Sequence, residues 1–457
     1  MTFMIESNRH FCKNSINYRT HIRRNSLLST IFTVAIVLSP ILNIYYSIPP
    51  VGWGDLLLVT VTLCVMIDTI ITRKGYKLNL YILFLAYSFL VSLFVSMSLD
   101  SFPIYEYISK YARIILYALI FICYSRDYFN ILFGARFIRN LSIFVSLILI
   151  IQAIYHRLFN VGTFLIIPNT NLNYSIVNYA EYLQSYYFLA YRPSSIFLEV
   201  AHFAQYTAVG LVLALFPFDQ KEKPHFKAAV IITIAILFSL SSNGLVIATI
   251  VWTIYLYKSS LYRLNSLKLL LTFTFLLAVG WFIIQKTNVL DMFLYRLSTI
   301  GVQDSTTGSL RLLRGLDYFR QFDLVNQIFG IGFGNYVDYV TDHSLFSIYN
   351  GNIETTNEYM NALSYVLVSC GLVGFVIYLL YWFVCFKIAN TSQKVMLVVF
   401  FMLLSTSSIF LMPIYMVFAV FISHRDATIP FLKKKSMGSR CLIFRRKYIE
   451  SFDNHFT

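Results

Sequence analysis

Apolar residues run in long unbroken stretches along most of the chain, separated by short polar and often basic connections. Stretches of about 15–25 apolar residues suit helices crossing a hydrocarbon core of about 30 Å. Barrel strands would instead alternate over about ten residues. Lipid tolerates no unpaired backbone groups, so a helix, which satisfies its own, is the expected form of each span. The pattern predicts about twelve spans, near 27–48, 55–72, 78–98, 108–124, 140–157, 196–217, 227–241, 243–257, 268–285, 359–386, 395–411 and 413–424. The fold class expected is therefore an all-α polytopic membrane protein.

Two places make the count uneven. Ser239-Leu-Ser-Ser-Asn-Gly244 interrupts one apolar stretch. As a single helix that stretch would be about 46 Å long, more than one crossing needs. Two helices meeting at a polar turn fit better. The last pair is broken at Pro413.

Composition agrees with the pattern. Of 457 residues, 58% are hydrophobic and only 12% charged, with mean hydropathy +0.67. An ordinary soluble protein carries about 25% charged residues. Soluble, fibrous and disordered classes are excluded. The formal net charge of +15 reflects topology and contact with anionic lipid, not nucleic acid. If the N-terminus is cytoplasmic, about 27 of the 36 Lys and Arg fall inside, as the positive-inside rule requires. The inside markers are Arg23–Arg24, Arg73–Lys74, Lys221 with Lys223, Lys433–Lys435 and Arg445–Lys447. Both termini are expected in the cytoplasm, with a tail at 1–26, a single transmembrane domain at 27–424 and a basic tail at 425–457.

Two connections are long, and both are expected outside, at 158–193 and 286–358. The larger carries aromatics, glycines and a helical stretch near Leu310–Phe322, which predicts a folded loop. None of the six cysteines falls in an outer loop and no CxxC occurs, so neither a disulfide framework nor a zinc site is expected. There is no phosphate-binding GxxxxGK[ST] loop, no HExxH and no DxD. Gly330-Ile-Gly-Phe-Gly334 lacks any βαβ context, so it reads as a glycine-rich turn feeding a helix rather than a dinucleotide site. No cofactor is expected.

Ionisable residues gather where the outer loops meet the spans. Arg192-Pro-Ser-Ser-Ile-Phe-Leu-Glu199 leads into Val-Ala-His202. Arg192 can snorkel, but Glu199 and His202 share a helix face at membrane depth, where ionisable groups tend to be functional. Arg311 and Arg314 also share a helix face, with Asp317 and Arg320 near. They are suited either to a bidentate phosphate contact or to a solvated face held by Arg–Asp pairs. Lys110 and Arg113, with Glu106, lie at the outer end of the fourth span. Snorkelling accounts for Lys110, while Arg113 is deep enough for a phosphate contact. Gly330–Tyr336 precedes Asp338, Asp342, His343, Glu354 and Glu358, among which a carboxylate could serve as base for a sugar hydroxyl.

In chain order, Arg192-Pro-Ser-Ser-Ile-Phe-Leu-Glu199, the 239–244 turn, Arg311, Gly330-Ile-Gly-Phe-Gly-Asn335-Tyr336, Asn357-Glu-Tyr and Cys370-Gly-Leu-Val-Gly374 resemble the O-antigen polymerase and ligase family of bacterial inner-membrane glycosyltransferases. The resemblance covers roughly residues 80–420. It implies a GT-C-like helical fold, an active site facing the periplasm, and substrates on undecaprenyl diphosphate, with neither metal nor nucleotide sugar. It also implies Glu199, Arg192, Arg311 and His202 as catalytic candidates. Arg314, Arg113, Lys110, Asn335, Tyr336 and Asn357 are then substrate-binding candidates. A chain-length regulator and a flippase are the implied partners. Ligases of this family carry a His-Asn pair before the span after the large loop; here Thr356-Asn357 stands there, which favours a polymerase. A ligase, or a lipid-polysaccharide flippase without chemistry, is the alternative.

Reporter fusions test this topology. Fusions near Tyr174 and Asp304 should read outside, and fusions near Lys74, Lys223 and Lys434 inside. An inside signal at Asp304 would separate the large loop from any substrate on the outer leaflet.

Overall fold

The computed structural model describes residues 26–48, 51–72, 79–99, 104–159, 192–219, 221–261, 307–349 and 358–424. The described residues as far as Ser423 belong to one compact unit. The regular structure among the described residues is helical apart from a short antiparallel ribbon, β1 (Tyr46–Ile48) and β2 (Val51–Gly52). Helix α1 covers Ser26–Leu42, α2 Trp53–Thr72, α3 Leu80–Ser98, α4 Ile104–Tyr128, α5 Ile131–Phe159, α6 Val200–Leu215, α7 Phe226–Ser239 and α8 Ser242–Leu261. Within 307–349 lie α9 (Thr307–Gln321), α10 (Leu324–Phe329) and α11 (Tyr336–Asp342). They are followed by α12 (Ala362–Ile388), α13 (Thr391–Thr406) and α14 (Pro413–Ser423).

Five of these helices, α2, α3, α4, α5 and α12, are long and apolar enough to cross a membrane. Shorter apolar helices accompany them. The protein is thus an all-α, multi-pass membrane protein. Each expected span coincides with a helix except the ninth, 268–285, which lies outside the described residues together with both tails and the first outer loop up to Tyr191. The stretch expected to be helical near Leu310–Phe322 is α9.

The apolar segment at 226–261 is two helices. Leu240 takes a left-handed conformation (φ 55°), and Ser241 with Ser242 starts a new helix. Several boundaries differ from expectation. The first helix ends at Leu42 rather than 48, α4 begins at Ile104 rather than 108, and α13 covers Thr391–Thr406 rather than 395–411. Helix α5 begins at Ile131, nine residues before the expected start, and takes in Arg136 and Arg139. Arg139 is buried on that turn because Glu222 neutralises it at 3.1 Å.

Helix α6 is apolar all round and buried all round from Phe203 to Leu215, the mark of a central helix. It packs against α5, α7, α8, α13 and α14. Helix α14 is equally enclosed. A second packing device joins the 307–349 segment to the long apolar helices. Helix α12 is broken at Gly371 (φ 61°, ψ −172°), which frees carbonyls of the preceding turn. The chain at 330–334 fills the break: Ile331 N–H donates to the Val368 carbonyl at 3.2 Å and Gly332 N–H to that of Ser369 at 2.7 Å. The same segment lies on a stripe of small residues on α3, Ser88, Ser92 and Ser96. Ser92 Oγ accepts the Phe333 N–H at 2.7 Å. Phe333 is then wholly buried, stacked on Phe410 with ring centres 5.4 Å apart. The glycine-rich segment does feed a helix, α11, but it does so from inside the bundle.

Gly332 carries this contact. Its φ is +84°, and a Cβ there would overlap the Ser92 backbone. Positive φ and a steric clash each cost about 1–3 kcal/mol. Gly332→Ala should therefore lower the thermal unfolding temperature of the detergent-purified protein by several degrees. An unchanged melting curve would mean that the loop is not seated on α3.

Candidate functional site

The Arg192–Glu199 motif is a turn clamped to α5. Pro193 and Ser194 are buried, and Ser195 adopts φ 60°. The Gln152 amide of α5 grips Ser195 at both ends: its Oε1 accepts the Ser195 N–H at 2.8 Å and its Nε2 donates to the Ser195 carbonyl at 3.1 Å. Ser195 Oγ donates to the Val145 carbonyl at 2.7 Å. Gln152 is buried in an apolar helix, where only such pairing makes an amide tolerable. The clamp fixes what lies on either side. Arg192 reaches the 239–244 turn and donates to the Leu240 carbonyl at 2.6 Å. Glu199 precedes α6 in extended conformation (φ −124°), does not cap it, and leaves its carboxylate exposed.

The arginine motif is built from the other side. Asn361 caps α12, its Oδ1 accepting the Ser364 N–H at 2.8 Å. Its backbone N–H and Nδ2 both donate to the Arg311 carbonyl, at 3.0 and 2.6 Å. Helix α9 is thereby docked on the start of α12. Tyr359 then meets both arginines. The Arg311 Nε–H donates to the Tyr359 hydroxyl, and the guanidinium carbon lies 5.1 Å from the ring centre. Arg314 donates to the Tyr359 carbonyl at 3.4 Å and lies over the Tyr318 ring at 5.6 Å. Burial raises the pKa of the Tyr359 phenol, against the pull of Arg311, so the hydroxyl stays protonated. The 239–244 turn joins the same frame: Asn243 Nδ2 donates to Ser407 Oγ at 3.0 Å, and the Ser407 carbonyl accepts the Ala362 N–H at 3.0 Å.

These two halves face each other. His202 feels the charges of both Glu199 and Arg311, and Tyr359 feels those of both Arg311 and Glu199. Arg311 and Arg314 thus meet on Tyr359, while Glu199 lies within electrostatic reach of Tyr359 and His202 within that of Arg311. Of the two readings of the arginine helix, a solvated face held by Arg–Asp pairs does not describe it. Arg314 is fully buried, and Asp317 instead accepts from Ser347 Oγ at 2.7 Å and from the Ile348 N–H at 3.1 Å.

Other sequence candidates sit differently. Lys110 is held between Glu358 at 2.5 Å and Glu106 at 3.4 Å. Arg113 pairs with the buried Asp55 at 2.9 Å, and Tyr117 donates to the other oxygen of Asp55 at 3.3 Å. Both cations are neutralised by carboxylates of the chain, so their first role in the fold is to join α4 to α2 and to the start of α12. Asn335 is fully buried and engaged as a rivet, accepting from Ser96 at 2.6 Å and donating to the Ser92 and Ile331 carbonyls at 3.0 and 2.9 Å. That leaves its amide little to offer a substrate. Tyr336 is buried edge-on to Tyr318, one ring away from Arg314. Asn357 lies outside the described residues. His343 stacks on Tyr339 and bonds its carbonyl at 3.0 Å.

Gln152, Asp55 and Asn361 were not singled out from the sequence, and Tyr359 stood in the Asn357-Glu-Tyr motif without a role. Gln152 and Asp55 had a signal, since each is a polar residue set in an apolar span. Asn361 had none beyond its nearness to Glu358. Among the described residues, no three His, Cys, Asp or Glu side chains gather as a metal ion would need. No family model matches this chain, and no curated protein is found to match it.

Proposed function

We propose that the protein is a polymerase of surface-polysaccharide repeat units in a bacterial cytoplasmic membrane. It would transfer the growing glycan from undecaprenyl diphosphate to the end of a lipid-linked repeat unit. The observation that carries this reading is the pair Arg311 and Arg314 held on Tyr359, with Glu199 and His202 close enough to feel the charge on that side. In this reading the chain has about twelve spans in a GT-C-like arrangement. Its termini are cytoplasmic and its site faces the periplasm.

The chemistry follows from the charges. An acceptor hydroxyl attacks the anomeric carbon, the new glycosidic C–O bond forms, and the bond from that carbon to the diphosphate oxygen breaks. Negative charge grows on the departing diphosphate. Arg311 is placed to stabilise it, with the buried charge of Arg314 behind, so the arginines bind the transition state more tightly than the ground state. Glu199 takes the proton of the acceptor hydroxyl, since its carboxylate is exposed and caps no helix. His202, one turn on, is the alternative base or the group that orients Glu199. The sugar–diphosphate bond supplies the energy, and no nucleotide is needed. A chain-length regulator and a flippase are the expected companions of such an enzyme.

Deleting the gene separates the readings, because each loss stops the pathway at that protein's own substrate. Loss of a polymerase leaves surface lipid capped with one repeat unit. Loss of a ligase leaves bare core with polymer retained on its carrier, and loss of a flippase leaves no repeat outside. The single-repeat pattern is expected, and Glu199→Gln should reproduce it while the protein still inserts. Bare core would contradict the assignment, and full-length ladders from Glu199→Gln would remove Glu199 as the base.

A further inference from the structure

We propose that Tyr359 is the positioning residue of the anion site. It holds Arg311 by Nε so that the two terminal amino groups are presented as a fixed fork to a diphosphate. The inference rests on the polymerase reading, to which it adds the device that orients the arginine.

A guanidinium on a long side chain samples many rotamers, and binding must pay for freezing them. Here the freezing is done in advance from two directions. Asn361 holds the main chain of Arg311 through two bonds to its carbonyl. Tyr359 holds the far end, its hydroxyl accepting from Nε while the ring lies 5.1 Å from the guanidinium carbon. Engaging Nε leaves the pair of Nη groups, whose spacing matches two oxygens of one phosphate. Arg311 is only partly buried, so that edge can be reached. Tyr359 also holds Arg314 through its carbonyl, which sets the two arginines on one residue. The neighbouring Asn361 and Glu358 cannot substitute, because they are committed to the α12 cap and to Lys110.

Tyr359→Phe isolates the claim. It keeps the ring and the carbonyl and removes only the oxygen that accepts from Nε. The detergent-purified full chain is titrated with inorganic pyrophosphate as wild type, Tyr359→Phe, Arg311→Ala, Arg311→Lys and Tyr359→Phe/Arg311→Lys, with thermal unfolding measured on each. Wild type binds and Arg311→Ala does not. Tyr359→Phe melts within a few degrees of wild type and binds about tenfold more weakly, the effect of one hydrogen bond to a charged group. In the Arg311→Lys background, which has no Nε to hold, the second change alters binding less than about twofold, as expected if Tyr359 acts through Arg311. Wild-type affinity in Tyr359→Phe, or an equal loss in both backgrounds, overturns the positioning role and leaves the diphosphate reading standing. No binding by wild type, or undiminished binding by Arg311→Ala, overturns the diphosphate reading itself and the inference with it.

Discussion

A guanidinium shut away from water must find its compensation in the protein. The penalty for an ion in a low-dielectric interior is several kcal/mol, and it falls due if the partners are removed. Arg314 is fully buried on α9, against a tyrosine ring and a backbone carbonyl. That requirement explains the architecture around it. Helix α9 must be docked closely on the start of α12, which Asn361 does through the Arg311 carbonyl. The segment carrying Tyr359 must run past both arginines, and it is pinned at Glu358 by Lys110. The turn that begins α6 must stay against α5, which Gln152 ensures. Each of these contacts joins parts of the chain far apart in sequence, and together they set two guanidinium groups on one tyrosine with a carboxylate and an imidazole within electrostatic reach.

The backbone imposes a second constraint. A helix broken in an apolar surround exposes carbonyls that lipid cannot satisfy. The break in α12 at Gly371 is tolerated because the chain at 330–334 supplies N–H groups to it. The glycines of that segment are there for the close approach to Ser92 and to the broken helix. The 307–349 segment is therefore anchored inside the bundle, which gives α9 a rigid base from which to present Arg311.

Much of the helical layout was legible because lipid demands long apolar runs, and those are visible residue by residue. The polar turn at 239–244 and the helix near Leu310–Phe322 were legible for the same reason, as changes in period and polarity. Boundaries were less so. Helix α5 runs through Arg136 and Arg139, because a distant Glu222 neutralises Arg139, and no local pattern reveals that pairing. At the site, clustering of ionisable residues at the loop–span junctions pointed to Glu199, His202, Arg311 and Arg314. It also pointed to Arg113 and Lys110, whose charges the fold balances with Asp55, Glu106 and Glu358. Which cations are paired depends on tertiary partners. The role of Tyr359 was hidden for the same reason, since a tyrosine among 34 carries no mark of its neighbours.

The central claim is that this cluster makes a glycosidic bond at the expense of a sugar–diphosphate bond. Reconstitution tests it most directly. The purified full chain is placed in proteoliposomes with undecaprenyl-diphosphate-linked repeat units extracted from the source cells, and the products are sized. The account predicts glycans of two or more units on one carrier, with one free undecaprenyl diphosphate released for each bond formed. Repeat units that stay single while the folded protein is present, or that cross the bilayer without joining, would contradict it.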